Sequence, residues 1–452
     1  MLCGLALPSL ASAQALGLSD AIERAVRNHP DVAVASTDVD ASQARESGSK
    51  SAWGPKLSAG ADVQVWNEAQ SFSFTGGGAN LPAPTTPYEE VINGFLNSGP
   101  VTIRDQVTWS ASLTLAQPLT PLWDVYLANQ LTKSSTDVAQ RQVTATQRRV
   151  QRDVVEAFLR VNQAKKQLAT AQESVTQLEA QVARLTNLVE LGAAQDADRL
   201  RIEVALAAAK QQAFRAEADL NLARAAFSVA LGEEDGADLD AQVLDVGTLL
   251  PPAQSLQSMV DEAMTGREEL RNLDDQVTQA ELNVELKRSS YKPDVVALAQ
   301  YQHTAGQGLA GSDTFFVGAS LKWTIFEWGA TSATVDEADA TVLKVQISKT
   351  QAKRQIALQV RKAYYDYEAS RKGFDVAAAA VSGAEEAFRV ENERFEAGRS
   401  TPTDLLAAQT ALTEARNNRD AAYYQGLVNR AELIWATGRV LSARNIVEGV
   451  QE

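Results

Sequence analysis

Cysteine is almost missing from this chain. The one residue, Cys3, has no partner for an intramolecular disulfide, and with only two histidines a Cys/His zinc module is excluded. Basic charge is also scarce. Forty-two Lys+Arg stand against 57 Asp+Glu, a net charge of −15, which argues against a non-specific nucleic-acid binder that must displace counterions from phosphate. Beyond the first residues no run of about 18 apolar residues occurs. A transmembrane helix is therefore excluded, and any membrane role must come from strands or an amphipathic surface. Aromatics are only 6% of 452 residues, with 26 Gly and 13 Pro, so long uninterrupted helices are expected. Chemistry is lacking too. No nucleophile motif, phosphate loop, paired-acid constellation or metal-ligand spacing stands out, so neither an enzyme nor a cofactor is indicated. His29, beside Pro30, reads as a helix-end residue, and His303 as a strand-end residue.

What the chain does contain begins with a short apolar start closing on Ala11-Ser12-Ala13. It fits a secretory signal peptide over 1–13, hence an exported protein. Cys3 precedes that site, so acylation is not expected. At 45% hydrophobic and 22% charged residues the chain is not disordered. From Leu122 to Leu191 there is no Gly or Pro, and after Gly192 none until Gly232. Val154, Val161, Leu168, Val175, Val182 and Val189 recur every seven residues. So do Ala157, Ala164, Ala171, Leu178 and Leu185. These are the two stripes of a coiled-coil seam. Ile202, Ala209, Ala216, Ala223 and Ala230 continue the pattern beyond Gly192, which reads as the turn of a long antiparallel hairpin over 122–231. A second hairpin is expected over 330–437, turning at Ala397-Gly398-Arg399.

A different period precedes each hairpin. Residues 57–66 and 107–115 alternate apolar with polar, and 315–325 does so most cleanly, through Phe315, Val317, Ala319, Leu321, Trp323 and Ile325. A weaker fourth strand is expected over 294–303, where Val296 and Leu298 spoil the alternation. Such lengths suit a tilted membrane strand of roughly 9–11 residues, although half-buried strands of a soluble sheet share the pattern. Trp109, Trp323 and Trp328 cluster at strands and their ends, as an aromatic girdle requires, with core packing as the rival. The segment 67–106, with Gly76-Gly77-Gly78 and several prolines, reads as a long exposed loop. The segment 232–252, with six acids and no Lys or Arg, reads as a solvated linker.

The order helix, strand pair, long hairpin occurs twice, with Gly192 and Asp198 spaced as Gly398 and Asp404 are. Two tandem repeats, 14–231 and 253–440, with a tail over 441–452, account for the length better than three unrelated domains. Four strands cannot close a transmembrane barrel, whose smallest form has about eight. Unpaired edges in lipid are prohibitive, so several copies must share one barrel. Two copies give a filled interior and three a possible pore.

These residues resemble the outer-membrane efflux (TolC) family over about residues 16–440. The likeness is carried by Gly398 to Ala407, its counterpart Gly192 to Leu200, Asn28-His29-Pro30 and Pro55-Lys56-Leu57. The resemblance implies a mostly α fold with a β-barrel contribution. Long coiled-coil hairpins and four strands per chain would be completed as a homotrimer with a twelve-stranded barrel in the outer membrane of a Gram-negative bacterium and a periplasmic tunnel. It implies a passive exit duct for tripartite efflux or type I secretion. The partners would be outer-membrane lipid, a periplasmic adaptor and an inner-membrane transporter of ABC, RND or MFS type. By the same likeness Leu191, Gly192, Ala193, Ala397, Gly398 and Arg399 contact the adaptor. Asp404 would form the periplasmic gate, with Arg399 and Asp198 beside it. There are departures. Ala407 stands where the family has a second aspartate, and Phe395 and Ser400 where it has a locking Tyr and Arg. The rival readings are a periplasmic coiled-coil adaptor without membrane strands and a soluble exported enzyme.

Overall fold

The structure is a computed structural model that describes residues 14–72, 83–96, 100–192, 194–233, 239–247, 250–308 and 312–448. The expected signal peptide, Gly76 to Gly78, Ala193 and the end of the tail lie outside the described residues. In chain order the elements are β1 (Gln14–Leu16), α1 (Leu18–Asn28), α2 (Pro30–Ser51), β2 (Lys56–Val65), β3 (Gln70–Phe72), α3 (Pro87–Leu96), β4 (Val101–Pro118), α4 (Leu122–Glu190) and α5 (Asp196–Ala230). They continue with β5 (Leu239–Ala241), α6 (Leu256–Gly266), α7 (Glu268–Ser289), β6 (Asp294–Gln307), β7 (Asp313–Lys322), α8 (Ala330–Glu396), α9 (Pro402–Ala436) and a π-helical turn at Arg444–Glu448. No described helix is long and apolar enough to cross a membrane.

The chain divides into two compact units, 1–41 with 137–277 and 344–452, and 42–136 with 278–343. It passes from one to the other inside α2, α4, α7 and α8, so each unit draws on both halves of the sequence.

The first unit is helical, and its seams are the heptad positions. Val154, Ala157, Val161, Ala164, Ala171, Leu178 and Leu185 of α4 are buried, as are Ile202, Ala216, Leu220 and Phe227 of α5. Small alanines in those stripes let backbones approach, and larger residues then fill the interior. Phe158 and Phe227 meet edge to face, with ring centroids 6.0 Å apart. Three of the long helices, α5, α8 and α9, end the same way. Gly232, Gly398 and Gly438 take φ of 77°, 70° and 83°, and the following N–H reaches back to a carbonyl of the last turn, as in Arg399 N to Arg394 O at 2.8 Å.

The segment 232–252 is not a free linker. Its β5 pairs in parallel with β1, and its three described acids find cations contributed by other elements. Asp240 bonds Lys165 at 2.8 Å and Arg224 at 3.1 Å, Asp245 bonds Lys166 and Glu233 bonds Arg24. Asn162, buried in α4, accepts from Leu244 N at 2.7 Å, and Tyr424 donates to Leu244 O at 2.6 Å. An acidic run reads as solvated only while its distant partners are unknown.

The second unit carries an antiparallel sheet in the order β2-β4-β6-β7, with the short β3 also paired to β4. The segment expected as one loop, 67–106, therefore contains β3, α3 and the first turns of β4. A register shift between Arg104 and Trp109 breaks the alternation there, which hid that part of β4 from a period-two reading. At the other end β7 stops at Lys322, so Trp323 and Ile325 follow the strand instead of closing it.

Candidate functional site

The sheet sorts its side chains by face. Leu57, Ala59, Ala61, Val63 and Val65 of β2 lie opposite Leu115, Leu113, Ala111, Trp109 and Val107 of β4. The row continues through Ala297, Ala299, Tyr301, His303 and Ala305 of β6 into Ala319, Val317, Phe315 and Asp313 of β7, with His303 and Asp313 paired to each other at 2.8 Å. The pleat sends alternate residues to the other face. There stand Ser58, Gly60, Asp62 and Gln64, then Thr108, Ser110, Ser112 and Thr114, then Gln300, Gln302 and Thr304. Val296 and Leu298, which blurred the fourth strand in the sequence, fall on this polar face. Every residue of β2 and β7 is exposed, and these two strands are the sheet's edges. A single chain thus presents an apolar face with no covering layer and two edges with unpaired backbone donors and acceptors.

Aromatic rings mark the ends of this wall. Trp109 lies toward the far end of β2, opposite Val63, with its ring 5.0 Å from that of His303. Trp323 donates from Nε1 to Tyr291 O at 3.2 Å. Trp328, at φ 55°, is 90% exposed and meets Phe326 edge-on. Three further rings, Trp123, Tyr126 and Tyr291, lie near this strand end, with Trp123 and Tyr126 stacked at 5.3 Å. They escaped the sequence reading because they sit in helix starts and turns, outside any alternating segment.

The hairpin tips are in the first unit. Leu191 is 80% exposed and Gly192 takes φ 71°; Ala193 lies outside the described residues. In the second tip Ala397, Gly398 and Arg399 are exposed, and the Arg399 side chain meets no described polar group. Asp404 is the third residue of α9 and completes a capping box with Thr401. Its N–H donates to Thr401 Oγ1 at 3.2 Å, and its Oδ2 accepts from the Thr401 hydroxyl at 2.6 Å. Arg399 and Asp404 do not meet within one chain. Asp198 instead pairs with Arg201 at 3.7 Å, and Arg201 Nη1 reaches Thr403 Oγ1 at 3.4 Å. The two positions related by the repeat are thereby brought close together.

Several contacts at and near the second tip were not legible in the sequence. Phe395 packs with Leu178, Leu185, Ile202 and Leu406, and the Arg184 guanidinium lies 5.5 Å from its ring while pairing with Glu396. Ser400 bonds Glu391. Gln409, 2% exposed, accepts from Gln181 at 2.7 Å and donates to Gln177 at 3.1 Å. Farther along, Arg416 bonds Glu173 at 2.8 Å and Glu385 at 3.1 Å. Burial alone would lower the Arg416 guanidinium, but the bonds from Glu385 and Glu173 hold it above its usual range. Such long-range partners are set by helix packing, and no local spacing announces them. Among the described residues no group of His, Cys, Asp or Glu is placed to hold a metal ion.

A sequence profile described as outer membrane efflux protein matches residues 21–233 and 259–439. No curated protein matches the chain. Solved structures align across nearly its whole length. The outer membrane protein VceC of Vibrio cholerae is 14% identical, with a TM-score of 0.71 over 93% of this chain and 96% of that one. The CmeC outer membrane channel of Campylobacter jejuni is 15% identical, with 0.75 over 93% and 85%. The open state of the Neisseria gonorrhoeae MtrE outer membrane channel is 18% identical, with 0.72 over 94% and 89%.

Proposed function

Because the chain belongs to the outer membrane efflux protein family, and so resides in the outer membrane, we propose that three copies close one twelve-stranded barrel that is the passive exit of an efflux or type I secretion system. The observation that carries this reading is the sheet. Its mostly apolar face runs across four strands, interrupted by the His303–Asp313 pair, and both its edges are unpaired. In lipid an open edge costs several kcal/mol per unsatisfied group. Copies that join β2 of one chain to β7 of the next remove every such edge. Four strands per chain then give twelve, enough for a water-filled interior lined by the Ser, Thr and Gln face. A coiled-coil adaptor without membrane strands does not account for this sheet.

In this reading the two matched segments are tandem repeats, and the long hairpins form the periplasmic tunnel. The tips at Leu191 to Ala193 and Ala397 to Arg399 receive a periplasmic adaptor docked to an ABC, RND or MFS transporter. Asp404 from each copy contributes to a ring of carboxylates, which favours cations and repels anions. Asp198, Arg201 and Thr403 hold the turn from which that ring projects.

Adjacent residues on opposite faces provide the test. Ala111→Arg places a charge on the apolar face, at a cost of about 2–4 kcal/mol near the bilayer midplane. Ser112→Arg places it on the polar face. The expected result is that Ala111→Arg fails to insert, while Ser112→Arg inserts and changes single-channel conductance in a planar bilayer. Equal insertion of both variants, or partition of the wild-type protein into water without detergent, would rule the channel out.

A further inference from the structure

The first unit contains a cavity of about 400 Å³, within the size range of small-molecule sites. Its wall joins α6, α8 and α9 to the segments around Pro252 and Asn445. The charge of that wall is unusual. Arg430 of α9 is only 9% exposed, yet no described carboxylate pairs with it. Its Nε donates to Asn445 O at 2.7 Å, and its Nη1 to Tyr367 OH at 3.0 Å and Pro251 O at 3.3 Å. Tyr367 in turn donates its hydroxyl proton to Pro251 O, so its oxygen is oriented to accept from Arg430. These neutral acceptors satisfy hydrogen bonds without cancelling the charge. Nη2 meets no described polar group. The other charged residues on the wall, Arg439 and Glu262, pair with each other. Among the described residues the cavity therefore keeps one uncompensated positive charge, in a chain whose net charge is −15. A buried ion without its counter-ion is costly, and acids were plentiful.

We propose that this cavity binds a small organic monoanion, a carboxylate on a compact apolar body. The carboxylate accepts from Arg430 Nη2, and the body packs on Met259, Leu433 and Ile434, all buried on the wall. A single negative charge matches the single excess positive one, whereas a multiply charged anion would meet the carboxylate of Glu262. The site lies on the order of 40 Å along α9 from Asp404, by the helical rise, and owes nothing to the gate.

The test is a fluorine NMR titration of the purified full chain in a neutral detergent, with 4-fluorobenzoate and its uncharged analogue 4-fluorobenzyl alcohol as probes. Saturable benzoate binding is expected, with the alcohol about tenfold weaker or more, as for loss of a charge-assisted hydrogen bond. Arg430→Gln is expected to weaken benzoate about tenfold and leave the alcohol unchanged. In case Arg430→Gln does not fold, Val440→Trp narrows the cavity where Val440, 57% exposed, forms its rim, and benzoate binding falls with Arg430 still in place. Planar-bilayer conductance confirms that each variant assembles. No saturable binding to the wild-type chain, equal affinity for both probes, or benzoate binding unmoved by the variants that assemble would overturn the proposal.

Discussion

Gln181 of the first hairpin donates to the buried side chain of Gln409 in the second, Nε2 to Oε1 at 2.7 Å. Gln409 then donates to Gln177, one helical turn back along α4. Amides make this a directional contact, because each must find its acceptor at one register of α9 against α4. The Gln181 carbonyl oxygen is itself buried without a hydrogen-bond partner among the described residues, so the ladder has little in reserve. Gln409→Leu is expected to cost about 1–3 kcal/mol, since it strands buried polar partners. Hydrogen exchange should quicken at 177–185 and 402–412 and remain unchanged in β4. Unaltered exchange at the tips would mean that apolar packing alone sets the register.

Asp404 combines a cap with a charge, and two substitutions separate them. Asp404→Asn retains an oxygen for the capping box and removes the charge, so cation selectivity of the open channel should fall with α9 intact. Asp404→Ala removes both, and the first turn of α9 should fray in addition, by about 1 kcal/mol. Reversal potentials measured across a salt gradient check the first effect, and hydrogen exchange at 402–406 the second. Wild-type selectivity in Asp404→Asn would leave the residue with a capping role only.

Two glycines of α8 and its turn make a matched pair. A methyl group at Gly398 or at Gly383 would meet no atom within 4 Å, so neither substitution creates a clash. Gly398, however, sits at φ 70°. Gly398→Ala should destabilise the second tip by about 1–2 kcal/mol from backbone strain. Gly383→Ala, in the helix interior, should stabilise by about 0.5–1 kcal/mol. Opposite shifts in urea midpoint are the expected outcome, and shifts of one sign would contradict it.

Asp240 makes the closure of the chain start pH-dependent. Burial pushes its carboxyl upward, but the bonds from Arg224 and Lys165 outweigh that and hold it below the usual carboxylate range. A folded-state value below the unfolded one gives stability that is present above the unfolded pKa, near pH 4, and lost as pH falls through the folded value. With solvent screening the contribution is about 1 kcal/mol. Asp240→Asn should lose that amount at pH 7, most visibly as faster exchange in β1 and β5. The difference from wild type should vanish in strong acid.

Periodicity made much of this architecture legible. The helical stripes and three of the four long strands follow from spacing alone, because a period of seven or two already states which residues share a face. The hairpin turns follow from Gly192 and Gly398, where only glycine takes a positive φ at low cost. The partners of Asp240, Arg416, Gln409 and Arg430 were not legible. Each bonds residues far away in sequence, and pairings of that kind have no local signature.

By itself the sequence determined a chain of long helices without a membrane-crossing one, two strand pairs, and an apolar side to each clean strand. Tertiary structure decided what those sides amount to. Only the register places Leu57 beside Leu115, Leu113 beside Tyr301 and Tyr301 beside Phe315, which turns separate alternations into one shared, mostly apolar wall. Alternation fixes a residue's face within its own strand. Which strands are neighbours, and where the edges fall, depends on pairing across the chain, and those edges are what the proposed barrel closes with further copies of the chain.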